Sequence, residues 1–236
     1  MPSLLEQPLT ESLGEQLKSA TKGLHHEVER GPFMRALLRG KLDRAGYCAL
    51  LRNLYDIYDA LERALDTHAE HPGLKALRLP GLARREVLAR DLEALHGPNW
   101  AAELELLEAG RRYVKHLRHL SLSAPELLAA HAYVRYLGDL SGGQLLQPIV
   151  AKSLKLSNGI GTAFYEFGAP AEASALKQRF RAGLDEVAAA HAGDVSALVN
   201  EARTSFELHR SLFGELAQHF VGGTDGHGAK ALSSSG

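Results

Sequence analysis

Apolar residues recur at helical spacing along almost the whole chain, and this periodicity constrains the fold more than any other feature of the sequence. Apolar side chains three and four positions apart predict amphipathic helices, whereas a strand would show strict alternation, and no sustained alternating run occurs. We predict helices over residues 10–30, 32–39, 43–70, 82–96, 99–121, 125–155, 168–190 and 194–219. The sequence therefore predicts an all-α fold with a single multi-helix domain.

Local signals mark several of the predicted helix ends. Glycine–proline pairs fall at the joints between helices, where both residues interrupt a helix. Asp43 is expected to cap the helix that follows it, and Ser123 is expected to cap the helix that contains Glu126, as in a capping box. Pro148 lacks an amide donor, so we expect a bend within the helix predicted over 125–155.

The length of 236 residues is enough for one sizeable core, and nothing in the sequence requires a second domain. We predict a flexible N-terminus over residues 1–9, a folded domain over 10–220 and a disordered tail over 221–236. The tail prediction rests on its richness in glycine and serine.

Composition excludes several classes of protein. The formal net charge of -1 gives no reason to expect nucleic acid or an anionic membrane as a partner. The only cysteine, Cys48, excludes an internal disulfide and a cysteine-built metal cluster, and it is expected to be a packed thiol. No secretory signal and no apolar run long enough to span a bilayer is present, so we expect a cytoplasmic protein.

Three glycines, Gly138, Gly142 and Gly143, lie inside the helix predicted over 125–155. Each costs about 1 kcal/mol relative to alanine in a helix. Gly138 and Gly142 fall on nearly the same side of the helix, with Asp139 about 100° away. This pattern indicates either a flat ligand pressed against bare backbone beside one carboxylate or close helix packing through small residues.

The first predicted helix carries a candidate metal ligand. Lys18, Lys22 and His25 lie within about 60° of one another on the helical wheel, at the edge of the apolar stripe, whereas His26 points nearly opposite the core. An imidazole beside two ammonium groups suits a metal-centred cofactor with peripheral carboxylates. A histidine at such a boundary can equally be structural.

Most other histidines carry no metal signal. The single Glu93-x-x-His96 pair falls short of a di-iron site, which needs two such motifs and two further glutamates. We predict solvated surface positions for His68, His71, His96, His116 and His119, and His227 lies in the predicted tail.

Later segments add basic, aromatic and phenolic groups. Lys177 and Arg181 are four residues apart on one helix face, which by itself is typical of a solvated surface. Phe206 and Phe213 are core residues by default. Tyr58 lies on the helix predicted over 43–70, and a buried phenol there would need a polar partner.

Three sets of residues resemble the heme oxygenases, in particular the soluble bacterial members of that family. The segment 17–25 resembles the helix whose histidine ligates heme iron, and the segment 131–144 is similar to the distal-helix signature almost letter for letter. Phe33-Met34, residues 54–58 and residues 177–181 lie at the expected positions between and after these segments, so that the resemblance covers roughly residues 10–219. It implies an all-α fold with heme between a proximal helix and a kinked, glycine-rich distal helix.

The resemblance also implies roles for individual residues. His25 would be the axial ligand of the iron, and Asp139, supported by Tyr58 and Arg135, would hold the water that delivers protons to dioxygen. The distal face of the heme would rest on Gly138, Gly142 and Gly143. The propionates would meet Lys18, Lys22, Tyr133, Lys177 and Arg181, and Met34, Phe206 and Phe213 would complete the heme pocket.

The implied activity is cleavage of heme b, which is both substrate and cofactor, at the α-meso carbon to biliverdin, carbon monoxide and ferrous iron. This reaction uses O2 and external electrons. No flavin, nucleotide or iron–sulfur motif is present, so a ferredoxin or flavoprotein reductase would supply the electrons. A biliverdin reductase or bilin-binding acceptor would be a further partner, and the protein would be a monomer. A non-enzymatic heme carrier or sensor is the alternative reading.

The sequence departs from the family pattern at two places. His209 stands where animal members carry asparagine, which would change the distal water network. Gln147 and Pro148 stand where lysines are common, beyond the implied pocket.

Overall fold

The computed structural model describes residues 11–157, 159–191 and 195–221, and these ranges contain helices and turns but no strand. Ten α-helices follow one another within these ranges. They are α1 (Leu13–Arg30), α2 (Pro32–Leu38), α3 (Arg44–Thr67), α4 (Arg85–His96), α5 (Trp100–Glu103), α6 (Glu108–Ser123), α7 (Leu128–Ala132), α8 (Gly138–Ser153), α9 (Pro170–Ala190) and α10 (Ser196–Phe220). The predicted all-α fold is confirmed. The terminal predictions, over 1–9 and 221–236, lie outside the described residues apart from Val221.

Two helices begin at residues that cap them locally. Ser12 and Glu15 form a reciprocal capping box at the start of α1, in which the Glu15 amide donates to the Ser12 hydroxyl. Asp43 caps α3 as predicted, because its Oδ1 accepts a hydrogen bond from the Gly46 amide at 2.8 Å. Cys48 on α3 is a buried thiol, also as predicted.

The prediction of one continuous helix over 99–121 is wrong, because the chain is not helical between the end of α5 and the start of α6. The amide of Leu107 donates to Oδ1 of Asn53 at 3.1 Å. The amides of Glu108 and Ala109 donate to the carboxylate of Glu215 at 3.1 and 2.7 Å. Side chains from α3 and α10 therefore satisfy the amides that a continuous helix would have used internally.

The helix predicted over 125–155 is also divided. Ser123 ends α6 and donates its hydroxyl to the His119 carbonyl at 2.9 Å, so its predicted role as a cap is wrong. A 3₁₀ turn (Pro125–Leu127) leads into α7, and a π-helical segment (Tyr133–Leu137) joins α7 to α8. π-Helical turns are rare and occur frequently at functional sites. Helix α8 contains Pro148 and continues to Ser153.

Helix α3 lies at the centre of the molecule and packs against α4, α6, α7 and α10. Helix α10 packs against α1, α2, α6, α7 and the π-helical segment. Helix α2 contacts both α1 and α8. Helix α10 therefore joins the region of His25 to the region of Arg135.

Candidate active site

The carboxylate of Asp139 is the most strongly coordinated polar group beside the glycines of α8. Its two oxygens both accept hydrogen bonds from Nη2 of Arg135 at 2.9 Å, and Oδ2 also accepts one from the hydroxyl of Tyr58. Tyr58 is fully buried, whereas the Asp139 side chain retains 15% exposure. The carboxylate is therefore fixed in orientation, while its side chain keeps a small exposed fraction.

The charges of this group follow from burial and pairing. Burial raises the pKa of Asp139, and the Arg135 charge and the donated hydrogen bonds act in the opposite direction. Burial opposes the charge on Arg135, but Asp139 outweighs it and raises the guanidinium pKa. Burial raises the pKa of Tyr58 well above its ordinary value, so the phenol acts as a donor. The net effect is a raised pKa for Asp139, because burial outweighs the Arg135 charge and the donated hydrogen bonds.

His209 anchors the other end of Arg135. Nη1 of Arg135 donates to Nε2 of His209, and Nδ1 of His209 donates to the carbonyl of Ser205 at 2.9 Å. These two bonds fix the neutral tautomer with its proton on Nδ1. Burial and the nearby Arg135 charge lower the pKa of His209 well below its ordinary value. The imidazole therefore accepts a hydrogen bond from Arg135 throughout the neutral pH range.

The polar network continues away from Asp139 through residues that the sequence analysis did not assign. The hydroxyls of Ser205 and Tyr113 lie 2.8 Å apart, and the Tyr113 hydroxyl lies 3.1 Å from Nδ1 of His131. Nε2 of His131 and Nε2 of His116 lie 2.8 and 2.6 Å from Oε1 of Glu201. The sequence carried one signal for this network, because 131, 135 and 139 on one strip and 201, 205 and 209 on another are spaced by four residues.

The glycines of α8 divide into two kinds. A Cβ atom at Gly138 or Gly142 would meet no atom within 4 Å among the described residues, so both face open space. A Cβ atom at Gly143 would lie 3.0 Å from the carbonyl oxygen of Tyr165, so this glycine allows close packing. Close packing is therefore the role of Gly143, whereas a flat ligand against Gly138 and Gly142 stays a prediction.

His25 on α1 is half exposed and contacts α10. Its ring packs edge-on against Phe206 with centroids 5.8 Å apart, and its Nδ1 lies 3.4 Å from Oε2 of Glu29. The side chains of His25 and His26 are 51% and 52% exposed, so burial does not separate them as the helical wheel suggested. Of these two histidine rings, only that of His25 packs against the ring of Phe206.

The basic residues of the predicted propionate set lie on α1 and α9. Lys18, Lys22 and Arg181 are exposed, and Lys177 is half-buried. Burial raises the pKa of Tyr133, while a hydrogen bond with Thr21 and the charge of Arg181 act to lower it. The structure thus brings Tyr133 together with α1 and with Arg181.

The predicted wall residues lie nearby on α2 and α10. Phe206 is buried, and the ring of Phe213 stacks on Phe33 at a centroid distance of 5.6 Å. Met34 is half-buried and packs against the core. Phe206 and His209 are three residues apart on α10, so one helix face contacts His25 through the phenylalanine and Arg135 through the histidine.

The surface prediction for the remaining histidines is partly wrong. His119 is exposed as expected. His68 is half-buried, with its Nε2 2.8 Å from the Ser121 carbonyl, and His116 is half-buried against Glu201. His227 lies outside the described residues.

Comparison with known proteins agrees with this architecture. The sequence profile of the heme oxygenase family matches residues 11–215. Heme oxygenase 1 from Nostoc sp. is 37% identical over 214 residues, which are 90% of this chain and 89% of that protein. Human heme oxygenase 1 is 39% identical over 212 residues, which are 89% of this chain and 73% of the human protein.

Solved structures give the same result. The structure of heme oxygenase-2 from Synechocystis sp. PCC 6803 in complex with heme and NO superimposes with a TM-score of 0.82 at 36% identity, covering 89% of this chain and 86% of that chain. The fold and these comparisons thus define an all-α protein of the heme-degrading class. The chain belongs to the heme oxygenase family.

Proposed function

We propose that this chain cleaves heme at the α-meso carbon to biliverdin, carbon monoxide and ferrous iron, using O2 and electrons from an external donor. Its membership of a family of heme-degrading enzymes supports the reaction type. One structural observation carries the proposal furthest: an oriented carboxylate, hydrogen-bonded to Arg135, lies beside two glycines that face open space.

The residues present fit a heme group. His25 offers a half-exposed imidazole, and within the described part of the chain its Nε2 forms no hydrogen bond. Glu29 lies beside Nδ1, as carboxylates do behind histidine ligands of metals. Gly138 and Gly142 would let a flat ring approach the α8 backbone. When bound, heme supplies the iron that activates dioxygen and the porphyrin ring that is oxidised.

Asp139 would position the water that carries protons into the site. The phenol of Tyr58 and the guanidinium of Arg135 both donate to the carboxylate, and water would reach it through the 15% of the side chain that is exposed. A carboxylate that acts through an ordered water supplies protons without presenting its own proton directly to the substrate. Arg135 and Tyr58 are positioning residues for this carboxylate.

The basic residues would set the rotation of the porphyrin. Lys18 and Lys22 on α1 and Lys177 and Arg181 on α9 would meet the propionates together with the Tyr133 hydroxyl. Charge-assisted hydrogen bonds contribute about 1.5–3 kcal/mol each when partly desolvated. This set would therefore determine that the α edge faces Asp139.

Electrons would come from a ferredoxin or a flavoprotein reductase, and a biliverdin reductase or bilin-binding protein would accept the product. We place the reaction in the cytoplasm. No helix within the described ranges is long and apolar enough to cross a membrane.

The test is to expose the hemin complex of the purified chain to ascorbate and air and to separate the products by chromatography. The expected product is the α isomer of biliverdin, accompanied by loss of the Soret band. His25→Ala should weaken hemin binding and turnover, whereas His26→Ala, which is equally exposed, should change neither. Asp139→Ala should still bind hemin but lose biliverdin, with Asp185→Ala as the matched surface control.

Each part of the proposal has its own contradicting outcome. A hemin spectrum that survives reductant and oxygen would identify a carrier rather than an enzyme. Unchanged biliverdin yield in Asp139→Ala would remove the carboxylate from proton delivery. A product that is mainly the β or δ isomer would overturn the predicted orientation of the porphyrin.

A further inference from the structure

The far end of the polar network is a cluster of two histidines and one glutamate from three helices. His116 on α6, His131 on α7 and Glu201 on α10 place their ligand atoms within 4.8 Å of one another. Both Nε2 atoms face the same carboxylate oxygen of Glu201, at 2.6 and 2.8 Å. We propose that this cluster is a zinc site, separate from the heme site and independent of the proposed heme chemistry.

The donor set is one that zinc prefers. Two imidazole nitrogens and one carboxylate oxygen are a known three-ligand set for zinc, with the fourth position left to water. Ligand atoms around a tetrahedral zinc lie about 3.3 Å apart, given bonds of about 2.0–2.1 Å. The nitrogen–oxygen distances of 2.6 and 2.8 Å must therefore lengthen by about 0.7 and 0.5 Å. His116 can accommodate this because its side chain is 28% exposed.

The hydrogen bond behind the His131 ring also suits a metal ligand. Its Nδ1 lies 3.1 Å from the hydroxyl of Tyr113, which in turn lies 2.8 Å from the hydroxyl of Ser205. A hydrogen bond at Nδ1 fixes the ring orientation of a histidine that binds a metal through Nε2. The buried ring of His131 is thus pre-oriented toward Glu201.

Access also suits a cation. Exposure rises from 0% at His131 through 11% at Glu201 to 28% at His116, which gives an entry path from the surface.

A zinc ion here would join three helices next to the catalytic network. Helix α7 continues directly into the π-helical segment that carries Arg135, and Glu201 shares α10 with His209. Zinc would therefore stabilise the scaffold that orients Asp139 without contacting the substrate.

Zinc binding at a second group of possible ligands has to be prevented in the experiment. His25, His26 and Glu29 also lie within 4.8 Å of one another, but all three are exposed and His25 belongs to the proposed heme site. The titration is therefore done on the full chain carrying His26→Ala, in hemin-free and hemin-loaded forms. Zinc is added in competition with a chromophoric chelator, and bound zinc is counted after desalting.

The expected result is that each chain binds one zinc ion and that this binding requires His116, His131 and Glu201. His116→Ala and Glu201→Gln each remove a ligand and should weaken zinc binding by more than about 100-fold. Loss of a residue that only hydrogen-bonds to a ligand already costs about 10–100-fold. Tyr113→Phe should give that smaller loss. His119→Ala, an exposed histidine on the same helix, should leave zinc affinity unchanged.

Thermal unfolding provides a readout that does not depend on heme. Zinc should raise the unfolding temperature of the parent chain but not that of His116→Ala. This variant should still fold, because the His116 side chain is partly exposed. Equal zinc affinity in the parent and in His116→Ala, or no zinc retained by the parent, would overturn the proposal. Failure of hemin cleavage with zinc binding intact would refute only the proposed function.

Discussion

Replacing Gly142 with alanine separates the stability of α8 from its proposed contact with heme. A Cβ atom at this position would meet nothing within 4 Å in the heme-free structure. Alanine is favoured over glycine in a helix interior by about 0.5–1 kcal/mol. Gly142→Ala should therefore raise the free energy of unfolding by that amount, which corresponds to about 1–4 °C in Tm for a chain of this size.

The same methyl group should impair function. If the porphyrin lies against the α8 backbone, an added methyl occupies part of its space, and overpacking of this kind costs about 1–3 kcal/mol. Hemin binding should then weaken by about 5- to 150-fold, and biliverdin yield should fall. The expected variant is thus more stable than the parent and less active.

The assay compares heme-free thermal unfolding with hemin titration and product formation. Gly214→Ala on α10 is the matched control, because its Cβ also meets nothing within 4 Å, and it should stabilise the chain without changing hemin affinity. Gly143→Ala should destabilise the heme-free chain, because its Cβ would lie 3.0 Å from the Tyr165 carbonyl.

Two outcomes would refute this reasoning separately. Lower stability of heme-free Gly142→Ala would mean that the space beside α8 is filled rather than open. Higher stability with undiminished hemin affinity and turnover would mean that heme does not approach Gly142.

Three further substitutions test the polar network and a helix end. The pKa of His209 is depressed in the folded state, so the free energy of unfolding should fall as pH drops below about 6.5, the ordinary pKa of a histidine. The loss should be up to about 1.4 kcal/mol per pH unit. His209→Asn should remove this pH dependence in urea titrations. Asp139→Ala should lower the free energy of unfolding by about 2–4 kcal/mol, because Arg135 is left as a buried charge without its carboxylate partner. Glu215→Ala should cost about 1–2 kcal/mol by leaving two α6 amides without acceptors, as measured by urea denaturation.

Each of these predictions can be contradicted. An identical pH profile in His209→Asn would show that the imidazole titrates normally when folded. A loss below about 0.5 kcal/mol in Asp139→Ala, equal to that expected for the surface control Asp185→Ala, would show that the pair with Arg135 contributes little. An unchanged urea midpoint in Glu215→Ala would mean that water replaces the carboxylate at the start of α6.

The local pattern of the sequence predicted helices well and helix interruptions poorly. The cap at Asp43 acts within three residues of its own helix, so it could be read from the sequence. The end of α5 could not, because the amides that follow it bond to Asn53 and Glu215, which lie 54 and more than 100 residues away in sequence. The cap assigned to Ser123 failed for a different reason: a serine hydroxyl can also donate to a carbonyl four residues earlier, as Ser123 does to His119, and so end a helix.

The sequence by itself determined the fold class, the family and the residue types available for chemistry, because amphipathic periodicity and the 131–144 motif are local features. Only the tertiary structure decided which side chains meet. Tyr58 and Asp139 are 81 residues apart, and Arg135 and His209 are 74 residues apart, so their contacts depend on the packing of α3 and α10 against the π-helical segment. Packing also separated Gly143, which contacts Tyr165, from Gly138 and Gly142, which face open space.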